Sequence, residues 1–148
     1  MKNKQVGFTL IELIMVIVIL GILAATALPK FVNLGGDART SVIKGVEGSM
    51  RSANSLIYAK SATAGTQGNS SALLTLNGQT ITLAYGFAST AQELAKAVDL
   101  SPAADFTISS AAIGHAKAAA AGSCQVAYYA ATGASVPPSY TLTTTNCD

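Results

Sequence analysis

No tryptophan, a single histidine, only two cysteines and few charges are the first features of this 148-residue chain, in which charged residues make up 11% and aromatic ones 6%. Each scarcity excludes something. His115 has no acid or second ligand near it at metal-binding spacing, so neither a zinc site nor a local catalytic cluster is expected, and the residue reads as a surface or loop histidine. Asp99 and Asp105 do not have the spacing of a compact calcium loop. No phosphate loop, dinucleotide fingerprint or nucleophile elbow is present, and the expectation is therefore no enzyme, no catalytic residue, no metal and no cofactor. The formal charge of +2 comes from Lys2 and Lys4, because the remaining cations and anions balance. A neutral remainder gives no electrostatic support for nucleic-acid binding.

What the chain has in abundance is apolar length at one end, GFTLIELIMVIVILGILAATAL. From Phe8 to Leu28, at about 1.5 Å per residue, a helix reaches roughly 31 Å, the thickness of a bilayer's hydrocarbon. The short basic leader MKNKQVG keeps its end in the cytoplasm by the positive-inside tendency, so the rest faces outward. In an exported protein Cys124 and Cys147 read as one disulfide. Glu12 is the anomaly. A carboxylate inside a membrane helix is costly unless it has a partner.

Three readings of this end compete. One is a secretory signal peptide cut at Ala25-Thr26-Ala27 before Leu28, giving a soluble secreted protein, but the acid and the length of the run speak against it. Another is a plain anchor with Glu12 reaching the headgroups. The third starts from the junction Gly7-Phe8 followed by TLIE. With its basic leader and apolar helix, this segment resembles type IV pilins, the filament subunits of bacterial surfaces. The resemblance implies cleavage after Gly7 by prepilin peptidase and N-methylation of Phe8. It also implies that Glu12 meets the Phe8 amine of a neighbouring copy, in a homopolymer extended by an inner-membrane assembly machinery.

The implied organisation is a leader over 1–7, a transmembrane and filament-core helix over 8–28, an amphipathic continuation over 29–60, and an exported head over 61–148. In the second helical segment Ile43, Val46, Met50, Ala53 and Ile57 recur at helical spacing, with Glu47 and Arg51 paired on another face. Pro29 costs a helix interior about 3 kcal/mol, so the residues leave a stop at Leu28 and a kink both open. The resemblance favours one long helix, kinked at Pro29, whose stretch from Gly21 to Pro29 loosens on assembly. Gly35-Gly36 together cost roughly 2 kcal/mol of helix propensity, which allows a local break recapped by Asp37 or, equally, close packing. PKFVNLGGDAR and the cysteine positions resemble the mannose-sensitive haemagglutinin branch of the family.

The head is expected to be α+β, an antiparallel sheet against the spine helix. Ser61 to Ala72 reads as a surface loop. Leu74 and Leu76, then Ile81, Leu83 and Tyr85, alternate about Asn77-Gly78 and predict a hairpin with one face buried on the helix. Thr90 to Glu93 has capping-box spacing and opens a helix to about Val98. Strands are expected at Phe106 to Ser109, Gln125 to Ala130 and Tyr140 to Thr144, while the alanine-rich Ala111 to Gly122 has no assignment. So thin a core needs the disulfide staple. The resemblance places the loop it closes on the filament surface. Tyr128, Tyr129 and Tyr140 in that loop are candidates for stacking on a carbohydrate receptor, against the plainer reading that alternating tyrosines pack.

The function expected from all this is a major subunit of an extracellular adhesive filament, membrane-held before assembly. Its alternatives are a pseudopilin of type II secretion or a minor pilin and, more remotely, a DNA-uptake filament subunit.

Overall fold

The computed structural model describes residues 7–32, 34–120 and 122–147, with the backbone only for 29–32. Lys2 and Lys4 lie outside the described residues. Two compact units divide between Gly35 and Gly36.

The first unit is built on α1, Leu10–Val32. It runs through Pro29, so a stop at Leu28 is overturned. Proline forfeits one bond to the carbonyl of Ala25, and a long apolar helix absorbs a single such loss. Its stretch Leu10–Leu28 has a mean hydropathy of 2.7 and no buried residue.

The second helix, α2, spans Leu34–Thr63. Gly35 and Gly36 do not break it and Asp37 does not recap it. Both glycines and Asp37 are helical within α2, and Gly36 is buried, so the helix carries their propensity cost without a break. Ile43, Val46, Met50, Ala53 and Ile57 are all buried, as their spacing predicts. On the outer side Arg51 bonds Glu47 through Nη2 at 2.6 Å and Nε at 3.0 Å. The helix also takes in Ser61, which is not in a surface loop: its hydroxyl is buried and donates to the carbonyls of Tyr58 and Gly86.

Strands β1 (Ala72–Leu76) and β2 (Gln79–Ala84) pair through a two-residue turn, with Leu76 opposite Gln79. Asn77 and Gly78 both take positive φ, 50° and 79°, the twist that suits an antiparallel hairpin. Leu76, Ile81 and Leu83 cluster with the buried stripe of α2. A second turn, at Tyr85-Gly86, leads to β3 (Phe87–Ala88), which pairs with β2. Glycine is required there, since a Cβ on Gly86 would lie 2.8 Å from Ser61 Oγ and 2.9 Å from the Tyr58 ring.

Helix α3 (Ala91–Ala95) stops short of Val98. Thr90 caps it, accepting from Glu93 N–H at 3.1 Å, but the capping box is only half made. The Glu93 carboxylate turns instead to the N–H of Thr82 on β2, at 2.7 Å, and to Lys96.

A second sheet contains β4 (Phe106–Ile108), β5 (Ala112–His115), β6 (Gln125–Tyr129) and β7 (Ser139–Thr143), all antiparallel and in chain order. The expected head sheet is thus two sheets, of three and four strands. Strand β5 lies inside the unassigned alanine-rich stretch, where pairing on both edges overrides poor strand propensity. Cys124 and Cys147 form the expected disulfide, both buried, with Arg39 Nη1 donating to the Cys147 carbonyl at 2.7 Å.

Candidate processing and assembly site

Gly7, Phe8 and Thr9 precede the first turn of α1 and are exposed, Phe8 by 94%. A peptide bond between Gly7 and Phe8 is therefore free of helical hydrogen bonds, the condition a peptidase needs. A Cβ on Gly7 would meet nothing within 4 Å, so this geometry alone gives no reason for glycine there.

Thr9 is the N-cap. Its carbonyl accepts the first helical bond from Leu13 N–H at 3.3 Å, and its hydroxyl accepts from Glu12 N–H at 3.4 Å. Glu12 answers in the reciprocal sense: Oε2 accepts from Thr9 N–H at 2.8 Å and from the Thr9 hydroxyl at 2.7 Å. This is a complete capping box, legible as Thr9-x-x-Glu12 and overlooked behind the question of the charge. Two donors meet the carboxylate within its own chain, on one oxygen.

Around this polar corner α1 is apolar on every side. Leu10, Ile11, Leu13 and Ile14 are all exposed, and the exposed apolar surface continues to Leu28. A helix apolar all round is at rest only in lipid or in a protein interior. Gly21 lies within α1 with open space around it, and farther along Thr26 returns its hydroxyl to the carbonyl of Leu23 at 3.0 Å, a bond that tends to bend helices.

The tyrosines of the second unit do not form a sugar platform. Tyr128 is buried, and Asn54 Nδ2 donates to its hydroxyl at 2.9 Å and to that of Tyr140 at 2.8 Å. Asn54 Oδ1 accepts from Ala88 N–H at 3.0 Å, and Tyr128 donates to the Ala88 carbonyl at 2.6 Å. Burial pushes both phenols above their ordinary pKa, Tyr128 the further. Arg51 covers the Tyr140 ring at 4.4 Å from its centroid, so of Tyr128, Tyr129 and Tyr140 it is Tyr129 that is exposed. Asn54 itself was missed, although it follows Ala53 directly on the buried stripe.

His115 is no surface or loop residue. It ends β5, buried, with its ring 6.2 Å from that of Phe106 and Nδ1 accepting from Lys117 N–H at 3.1 Å. The strand pairing of Phe106 with His115 draws it in. Among the described residues no three His, Cys, Asp or Glu side chains come together.

Residues 2–28 match the family model for the prokaryotic N-terminal methylation motif. The chain is 47% identical over 53 residues to the type IV major fimbrial protein FimA of Dichelobacter nodosus, a stretch that covers 36% of this chain and 34% of that one. It is 51% identical over 47 residues to the type IV narrow pilus major component PilA5 of Thermus thermophilus, covering 32% of this chain and 40% of that one. The type II secretion system core protein G of Pseudomonas aeruginosa is 48% identical over 44 residues, 30% of this chain and 31% of that one. The matches thus span about a third of these relatives' length, and no solved structure matches.

Proposed function

We propose, from the premise that the chain is a type IV pilin by its N-terminal segment and its α+β fold, that it is the major structural subunit of a type IV pilus. It is held in the inner membrane by α1 with its N-terminus in the cytoplasm, cut after Gly7, N-methylated at Phe8 and polymerised into an extracellular filament for adhesion. The observation that carries this reading is a non-helical, exposed Gly7-Phe8 peptide one turn ahead of a single carboxylate in an otherwise apolar helix.

Cleavage creates an amine at Phe8 that does not exist in the precursor. Moving α1 from lipid to an equally apolar filament core yields little hydrophobic free energy, so packing and polar pairing must set the arrangement. Glu12 supplies the pairing. A buried charge pair adds little net stability, but an unmatched one is strongly penalised, and this selects the axial stagger that brings each Glu12 to a neighbour's Phe8 amine. A bend or loosening between Gly21 and Pro29 would let the helix adapt as it docks. The narrower placement in the mannose-sensitive haemagglutinin branch rests on PKFVNLGGDAR and the cysteine positions.

The likeness to a type II secretion core protein keeps a pseudopilin as the second reading. Immunogold labelling of intact cells separates them. Antibody to this chain labels the whole length of surface filaments if it is a major pilin. Label confined to tips means a minor pilin, and no labelled surface filament means a pseudopilin.

A further inference from the structure

The three-stranded sheet ends differently on its two sides. On the β3 side the ladder is tied off by side chains. The Ala88 N–H donates to Asn54 Oδ1, and the Ala88 carbonyl accepts from the Tyr128 hydroxyl. Where β3 runs out, the Glu93 carboxylate accepts from Thr82 N–H and Lys96 Nζ donates to the Thr80 carbonyl at 3.0 Å. Covering an edge in this way keeps a sheet from growing.

On the other side β1 is bare. Leu76 and Gln79 flank the two-residue turn and form the hydrogen-bonded pair that closes the hairpin. By alternation Ala72, Leu74 and Leu76 aim their backbone groups at β2, and the N–H and C=O groups of Leu73 and Thr75 point away from it. Those four groups have no hydrogen-bond partner among the described residues. The strand is Ala-Leu-Leu-Thr-Leu, without charge, proline or bulge, and Leu73 is 71% exposed. None of the usual guards of an edge strand is present.

Such an edge takes up another strand through main-chain bonds. This one is its own complement. Its free groups lie symmetrically about Leu74, so a two-fold axis there sets Leu73 opposite Thr75 of a second copy, and Thr75 opposite that copy's Leu73. Each of these pairs exchanges two N–H···O=C bonds, which satisfies all four free groups of each copy. No charge is brought against a like charge, and Leu74 meets Leu74 on the side that already packs against the core.

We propose that β1 is a homotypic docking edge, through which two copies of this chain pair antiparallel along Ala72–Leu76 and join their three-stranded sheets into one. Subunits of a single polar filament all point the same way and cannot share a two-fold contact, so the pairing joins two filaments lying antiparallel. One strand pair is far smaller than a stable interface, but a row of them along two filaments adds up. The inference rests on the filament reading for that row of copies, while the pairing itself belongs to β1.

Single cysteines in sheared filaments under mild oxidation test it, with Cys124 and Cys147 already joined to each other. Leu74→Cys sets two thiols directly opposite at a Cα separation of about 4.5 Å, within disulfide reach. Leu73→Cys, although more exposed, sets them on a diagonal at about 7 to 8 Å, beyond it. Linked dimers are expected from Leu74→Cys and not from Leu73→Cys, and adding Leu73→Lys to Leu74→Cys should abolish them. In electron micrographs the surface change Leu73→Lys alone should separate side-by-side filaments that the unaltered chain holds together, and this readout decides where Leu74→Cys fails to fold. No dimer from Leu74→Cys, equal dimer from both cysteines, linkage to a different protein, or lateral association unchanged by Leu73→Lys would each overturn the proposal. Filaments that form but never pair sink this inference alone. Absence of filaments sinks the function on which it draws, and the two cysteine variants are then compared in the detergent-solubilised full chain.

Discussion

Glu12 takes both of its intrachain hydrogen bonds on Oε2, from the amide and the hydroxyl of Thr9, while Oε1 has no partner among the described residues. The carboxylate is therefore half satisfied before any neighbour arrives. Thr9 fixes its direction, and on the assembly proposed above the free oxygen is the one left for an incoming amine.

Glu12→Ala is expected to leave membrane insertion and leader removal intact while abolishing or severely reducing filaments. Thr9→Val, which removes one of the two donors, should lower filament yield less than Glu12→Ala. Immunoblots of processed subunit beside sheared filament yield check both, and normal yield from Glu12→Ala would remove the pairing from the account.

Asn54 is the polar centre of the second unit, with its amide shared among Tyr128, Tyr140 and Ala88. Asn54→Leu leaves the buried Ala88 N–H unpaired and deprives two hydroxyls of a donor. A loss of about 2 to 3 kcal/mol is expected, read by denaturant unfolding of the detergent-solubilised chain.

The disulfide closes a sequence separation of 23 residues. On the chain-entropy model its removal costs roughly 3 kcal/mol. Cys124→Ser with Cys147→Ser should therefore lower the unfolding midpoint clearly. Arg39→Met, which breaks only the contact to the Cys147 carbonyl, should lower it less.

Two groups give stability opposite pH limits. Partial burial disfavours ionised Glu93, but bonds from Lys96 and the Thr82 N–H outweigh it and hold its pKa below the ordinary value. Its contribution is present above the unfolded pKa of about 4.3 and is lost as pH falls through the lower folded value. Tyr128 is raised, mainly by burial, so its contribution is full below the unfolded pKa of about 10 and is lost as pH rises beyond it. Unfolding midpoints measured across pH should fall at both ends. Glu93→Gln should flatten the acid limb and Tyr128→Phe the alkaline one.

Local patterns carried far in this chain. The stripe from Ile43 to Ile57 and the turn at Asn77-Gly78 were legible because period and turn chemistry act over a few residues. The disulfide was legible because an exported chain with two cysteines leaves one pairing. Strand β5 was not, since alanines and a glycine become a strand only when β4 and β6 pair on both sides. The same long-range pairing buried His115 beside Phe106, and no local signal carries it. Glu93 deceived in the other direction: its spacing promised a full capping box, but the N–H of Thr82 on β2 competed for the carboxylate. At the candidate site Gly7, Phe8 and Glu12 were legible as a motif. The Thr9 contribution was legible too, as a helix cap, but was hidden by reading Glu12 only as a charge.

Mass spectrometry of the amino terminus of material sheared from the cell surface tests the central claim most directly. The account predicts intact filament subunits that begin at Phe8 and carry a methyl group on its amine. Subunits that begin at Met1, or a soluble product that begins at Leu28, would contradict it.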